Sequence, residues 1–217
     1  MATTLARGTG HEHVGEVTTG TAEADSRPVT NDAFLVRAGG VAAVLALVSQ
    51  VFQVIYQQVT GTAVEIAMPV WGNVAYTGQI ALMPLFIVAM YLAQRRAFGG
   101  LGRTATLVAL VGAVLWSAAS MHQLLAAIVA EGAKPPDPPD GVIVVILSFF
   151  AVYVVGLFLL GIATWRAGVL PRRAAALLTI GIPIALGPGG LVPVLFLVYG
   201  SGIAALGVSA MRRVGVR

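Results

Sequence analysis

Apolar runs of bilayer length, parted by short segments that gather nearly all of the charge, constrain this chain more than any other feature of it. A helix rises 1.5 Å per residue and needs roughly 20 apolar residues to cross a hydrocarbon core about 30 Å thick. Residues 34–59, 70–93, 104–130 and 142–165 each satisfy this. The stretch 174–211 is too long for one crossing and carries Gly187-Pro188-Gly189-Gly190 near its middle, a sequence that favours a tight turn. It reads as two spans, 174–187 and 191–211, the alternative being one span with a re-entrant or tilted piece. The fold class expected is all-α, a polytopic transmembrane bundle of about six spans filling residues 34–213.

Composition supports the same solvent. The 217 residues are 58% apolar and 10% charged, against roughly 25% charged in soluble domains. A core of this chain length cannot hide so much apolar surface, and the excess needs lipid to cover it. Cysteine is absent, so disulfides, thiolate metal sites and thiol nucleophiles are excluded. The isoelectric point near 10.0 does not signify nucleic acid, because the basic residues are scattered between apolar runs without interleaved aromatics. Twelve of the thirteen basic residues are Arg, and Ala, Gly and Val dominate, a bias expected of a GC-rich bacterial genome.

The arginines also set the topology, since cytoplasmic segments carry the Arg and Lys excess. Arg7, Arg27 and Arg37 stand at or before the start of span 1, and Arg95, Arg96 and Arg103 lie between spans 2 and 3. Arg166, Arg172 and Arg173 lie between spans 4 and 5, and Arg212, Arg213 and Arg217 follow span 6. Six crossings put all twelve on one face and leave Lys134 opposite, beside Glu65, Glu131, Asp137 and Asp140. Both termini are therefore expected to be cytoplasmic, in a multi-pass protein of a bacterial inner membrane. Residues 1–33 have few large apolar side chains and read as a disordered cytoplasmic tail rather than a signal peptide. Pro135, Pro136, Pro138 and Pro139 make 131–141 a stiff external connector between two three-span halves. Opposed halves are the layout of inverted-repeat transporters, but they share no internal similarity, and serial insertion of six helices is the simpler reading.

The junction between spans 4 and 5 runs Gly156-Leu-Phe-Leu-Leu-Gly161-Ile-Ala-Thr-Trp165-Arg166-Ala-Gly168-Val-Leu170-Pro171-Arg172. It resembles a junction in small multi-span bacterial membrane proteins of a domain-of-unknown-function group, actinobacterial ones especially, in which Arg, Ala or Ser, Gly, two further residues, Pro and Arg follow one another. The resemblance covers about 154–181 and implies a six-span or seven-span topology, with no activity attached. Physically, Gly168 can end span 4, Pro171 can open the next helix, and the arginines can sit among phosphate headgroups.

Polar residues inside spans are the usual pointers to function. Gln50, Gln79, His122 and Tyr199 each fall roughly 12 to 14 Å from the external helix ends, a depth that places them in one layer. Gln53 and Gln57 follow Gln50 at i+3 and i+7 on one face, and Asn73 and Tyr76 stand above Gln79. Read as a site, these side chains form an externally open polar vestibule with His122 at its floor, taking a small molecule or passing a proton. Read as structure, they are interhelical hydrogen bonds worth about 0.6 kcal/mol each. No carboxylate accompanies His122 within the spans, and it has no second span His for a bis-His haem. His11 and His13 in the tail lack the further ligands of a metal site, and Glu65, Glu131 and Asp137 have no spacing that would pair them for hydrolysis. Trp71 and Trp165 suit the interfacial belt, Trp116 and the Gly200, Gly202, Gly207, Ala204 and Ala205 face of span 6 suit packing, and Pro84 and Pro183 can kink their helices.

The function expected is that of a non-catalytic integral membrane protein working through packing, the lipid bilayer or a membrane partner protein, with no cofactor, metal site or nucleic acid. The competing expectation is a small permease-like protein using the vestibule to hold a small-molecule ligand. A membrane-embedded enzyme or haem protein comes third.

Overall fold

The computed structural model describes residues 29–60, 70–129, 139–187 and 193–215. Among these there are six α-helices and no strand: α1 (Val29–Thr60), α2 (Val70–Gln94), α3 (Gly100–Val129), α4 (Asp140–Ala167), α5 (Arg172–Leu186) and α6 (Phe196–Gly215), the last entered through a 3-10 turn at Pro193–Leu195. The all-α expectation is met, and four helices, α1 to α4, are long and apolar enough to cross a membrane. The 174–211 stretch is broken as its Gly-Pro-Gly-Gly sequence requires, with α5 ending at Leu186. Residues 188–190 of that sequence, the acidic loops around Glu65, Glu131 and Asp137, the histidines of the tail and residues 1–28 lie outside the described residues.

One boundary needs correction. Residues 29–33, expected in the disordered tail, are the first turn of α1. Asp32 is favoured there by the partial positive charge of a helix start, and it pairs with Arg95 at the end of α2 at 2.9 Å.

The helices pack in chain order around a ring that α6 closes against α1, and α6 also touches α2 across the middle. Met83, Phe86, Ile87 and Met90, at i, i+3, i+4 and i+7, are the inward stripe of α2 and are essentially fully buried. They meet Leu157 and Leu160 of α4, Leu178 of α5, and Ile203 and Leu206 of α6 in one apolar core. The outer surface is also apolar: Val48 of α1, Leu107 of α3, Val144 of α4 (63% exposed) and Ile180 of α5 face outward. Such an exterior is stable against hydrocarbon and would associate in water.

Because lipid is as apolar as the core, helix association here depends on close packing. Glycine supplies it at three seams. Gly112 of α3 lies directly over the backbone of Tyr153, and Gly156 of α4 over the backbone of Ala109, so the two helices touch backbone to backbone. On α6, Gly202 lies against Leu177 and Leu178 of α5, and Gly207 against Ala43 of α1, as the small-residue face of span 6 anticipates. Trp116 packs on Phe150 with ring centroids 4.9 Å apart, and Trp165 is exposed near the end of α4.

The charged ends converge. Besides the Asp32–Arg95 pair, Gly40 near the start of α1 lies against Gly207 and Met211 near the end of α6. The turn after α4 faces Arg212 and Arg213 of α6 across a common groove. In that turn Gly168 adopts φ +63°, the left-handed cap that a side chain would disfavour, and its N–H donates to Thr164 O. Pro171 then stands at the N-cap of α5, and Arg172 is its first residue.

Candidate functional site

The structure brings some of the expected layer residues together and leaves others apart. Gln50 lies thirteen residues beyond Arg37, Tyr153 thirteen before Arg166 and Tyr199 thirteen before Arg212, so each stands about 20 Å from the arginine-bearing end. Gln50, Gln53 and Gln79 are buried, and Tyr153 is only 5% exposed. Tyr199 faces Tyr153, Gln50 and Gln79, which joins α1, α2, α4 and α6 at one level.

The hydrogen bonds run from helix to helix. Gln53 Nε2 donates to Gln79 Oε1 at 3.0 Å and to Ser49 Oγ at 3.2 Å. Ser49 Oγ donates to the Ala75 carbonyl at 3.0 Å, so two successive turns of α1 are tied to α2. On the far side of α2, Thr77 Oγ1 donates to the Ser120 carbonyl at 3.2 Å, and Ser117 Oγ donates to Ile80 O at 3.2 Å and to Ala113 O at 2.6 Å. Gln50 Oε1 is the exception, buried without a hydrogen-bond partner. Gly200 makes the space it occupies, since a methyl there would collide with that oxygen.

The structure separates other expected members from the layer. His122 is exposed and takes part in no hydrogen bond or ion pair among the described residues, so it is not the floor of a vestibule. The helix turn explains this. Ser117 and the Ser120 carbonyl reach α2 while Gly112 and Trp116 meet α4, and two residues beyond Ser120 the side chain is rotated by roughly 200°. Gln57 is half-buried near the end of α1 and joins no hydrogen bond among the described residues. Tyr76 is half-buried and lies within electrostatic reach of Tyr153.

The opening to this layer also differs from an end-on vestibule. An open groove of about 340 Å³ runs between α1 and α2, lined by Leu45, Val48, Phe52 and Leu82, and reaches Ser49 and Gln79. Its mouth lies among the outward-facing side chains of α1, so it opens sideways.

Sequence reasoning missed three polar residues. Tyr153 lies in the most apolar helix, and its signal is the count to Arg166, thirteen residues, the same as from Arg37 to Gln50 and from Tyr199 to Arg212. Gln94 is 1% exposed, donating to Thr164 Oγ1 at 3.2 Å and to Met90 O at 3.3 Å, while its Oε1 has no partner. Its place beside Arg95 disguised it as the polar end of a span, although it points into the bundle. Thr164, fully buried in α4, carried no signal beyond its hydroxyl.

Chemically, the layer offers amides, hydroxyls and phenols. Among the described residues no three His, Asp or Glu gather where a metal could sit. No family model matches this chain, and neither a curated protein nor a solved structure matches it.

Proposed function

We propose that the chain is a six-pass protein of a bacterial cell membrane, with both termini on the cytoplasmic face, that works without catalysis through contacts of its outer surface with lipid and membrane partners. The polar layer holds the bundle together. One observation carries this reading: Ser49, Gln53 and Thr77 each donate to a side chain or carbonyl of a neighbouring helix, and among the described residues no charged side chain stands at their level. Convergence of Arg37, Arg95, Arg166, Arg172 and Arg212 at one end of the ring supports the topology. Each hydrogen bond of this kind adds about 0.6 kcal/mol in a membrane.

The test uses the absence of native cysteine. Single Gln50→Cys, Gln79→Cys and Tyr199→Cys variants in proteoliposomes are exposed to a membrane-impermeant, positively charged thiosulfonate. A structural layer stays unmodified at all three positions. Rapid modification at any of them would refute it.

One observation favours a permease-like second reading, in which the layer holds a small neutral ligand: Gln50 Oε1 lacks a partner beside Tyr199. A ligand with one N–H or O–H donor satisfies that acceptor, and modification of Tyr199→Cys, which leaves Gln50 in place, slowed by such a solute would distinguish this reading from the first.

A further inference from the structure

Arg172 and Arg173 open α5, and Arg212 and Arg213 close α6. These four exposed guanidinium groups, with Pro171 and Ser209, line one open groove of about 790 Å³. Among the described residues the acids are Asp32, already paired with Arg95, and Asp140 at the far end of α4, so no carboxylate answers any of the four. Like charges drawn from two helices into one concavity repel unless an anion stands among them. Ser209 Oγ donates to Ala205 O at 2.7 Å, so its hydroxyl proton is already engaged. The groove adds the backbone N–H groups of Arg172 and Arg173, since Pro171 supplies no side-chain cap and its carbonyl accepts only from Ala174 and Ala175 further on.

We propose that this groove binds the headgroup of an anionic phospholipid, and that a headgroup with two phosphates fits it better than one with a single phosphate. Guanidinium groups hold phosphate oxygens in pairs, and four from two helices suffice for two phosphates. The apolar side of the ligand is set by what flanks the groove. Leu177 and Ile180, along α5 from its arginines, are exposed and offer acyl chains a surface continuous with the headgroup site. A free phosphate would use only the charged half. The proposal rests on the membrane reading and names its lipid class.

The experiment uses the full chain in detergent, titrated with short-chain cardiolipin, phosphatidylglycerol or phosphatidylcholine, with bound lipid counted by native mass spectrometry. Cardiolipin is expected to bind more tightly than phosphatidylglycerol, with phosphatidylcholine weakest. Each Arg→Gln pair, R172Q/R173Q or R212Q/R213Q, weakens cardiolipin by roughly tenfold or more, since a basic residue near a lipid surface is worth about a factor of five. The R96Q/R103Q pair, elsewhere on the same face, leaves it unchanged, whereas Arg→Lys at all four positions keeps the charge, loses the paired contacts and weakens binding by less than either Gln pair, which keeps the variant set informative if a Gln pair misfolds. Equal weakening by R96Q/R103Q would reduce the groove to a diffuse basic surface and overturn the proposal. So would loss from only one of the two pairs, or displacement of cardiolipin by millimolar inorganic phosphate, which would mark a site for the free anion. Recovery of the chain in the aqueous fraction without detergent would instead sink the membrane reading beneath it.

Discussion

Replacing Gly156 with Ala adds one methyl where α4 lies directly on the backbone of Ala109, and the neighbour has no side chain to swing aside. The added carbon would stand 2.8 Å from the carbonyl carbon of Val108, whereas carbon atoms rest at about 3.5 to 4.0 Å. The helices must therefore part by about an ångström at this level. A gap of that size forfeits a quarter to a half of each contact across the seam, and overpacking of this kind costs about 1–3 kcal/mol. The strain falls on backbone and so belongs at the upper end of that range, and alanine returns up to about 1 kcal/mol through its helix preference, leaving a net loss of about 2 kcal/mol. Gly112→Ala strains the same seam over Tyr153, and one displacement relieves both. The double variant should then lose about 1 kcal/mol less than the sum of the two single losses. Gly78→Ala is the control, because a methyl there meets nothing within 4 Å, and it should be neutral or slightly stabilising. Reversible unfolding in mixed micelles, followed by circular dichroism, measures all four. Gly156→Ala within about 0.5 kcal/mol of the wild type, or strict additivity with Gly112→Ala, would refute the backbone-contact argument.

Three further outcomes are expected. Gln94→Met removes an acceptor that has no partner along with two weak donor contacts, so its stability should stay within about 1 kcal/mol of the wild type; a loss above about 2 kcal/mol would show the amide is satisfied in a way this geometry lacks. Asp32→Asn breaks an ion pair whose partners are 43% and 30% exposed, so melting at low salt should show a loss of at most about 1 kcal/mol that fades in high salt, and a larger, salt-independent loss would contradict it. Ala97→Cys and Arg213→Cys should react with an impermeant maleimide from one face and Gly141→Cys from the other; labelling of Ala97→Cys and Arg213→Cys from opposite faces would remove the six-pass topology.

What the sequence revealed follows from which physical signals are periodic. Apolar runs between arginines locate α1 to α4 to within a few residues, because bilayer thickness fixes their length. The Gly-Pro-Gly-Gly break separates α5 from α6 for the same local reason. Depth was also legible: Gln50, Gln79 and Tyr199 share a level because rise per residue is constant. Facing was not. On a helix apolar all round, periodicity no longer distinguishes lipid from core, so His122 passed for an inward residue while it stands on the outside of α3. The α3–α4 seam was missed because Gly112 and Gly156 lie far apart in sequence and each looks ordinary until the partner helix is in place. Gln94 shows the converse, a polar residue just outside the expected span 70–93, beside Arg95 and Arg96, that is buried against Thr164.

The brevity of α5 bears on the membrane around the protein. Its 15 residues extend about 22 Å, against about 42 Å for the 28 residues of α4 beside it. On the six-pass reading proposed above, hydrocarbon about 30 Å thick must thin to meet the first, whereas it is readily spanned by the second. A bundle so placed presents a low shoulder on one flank and a tall wall on the next, a mismatch through which membrane thickness would set its lean.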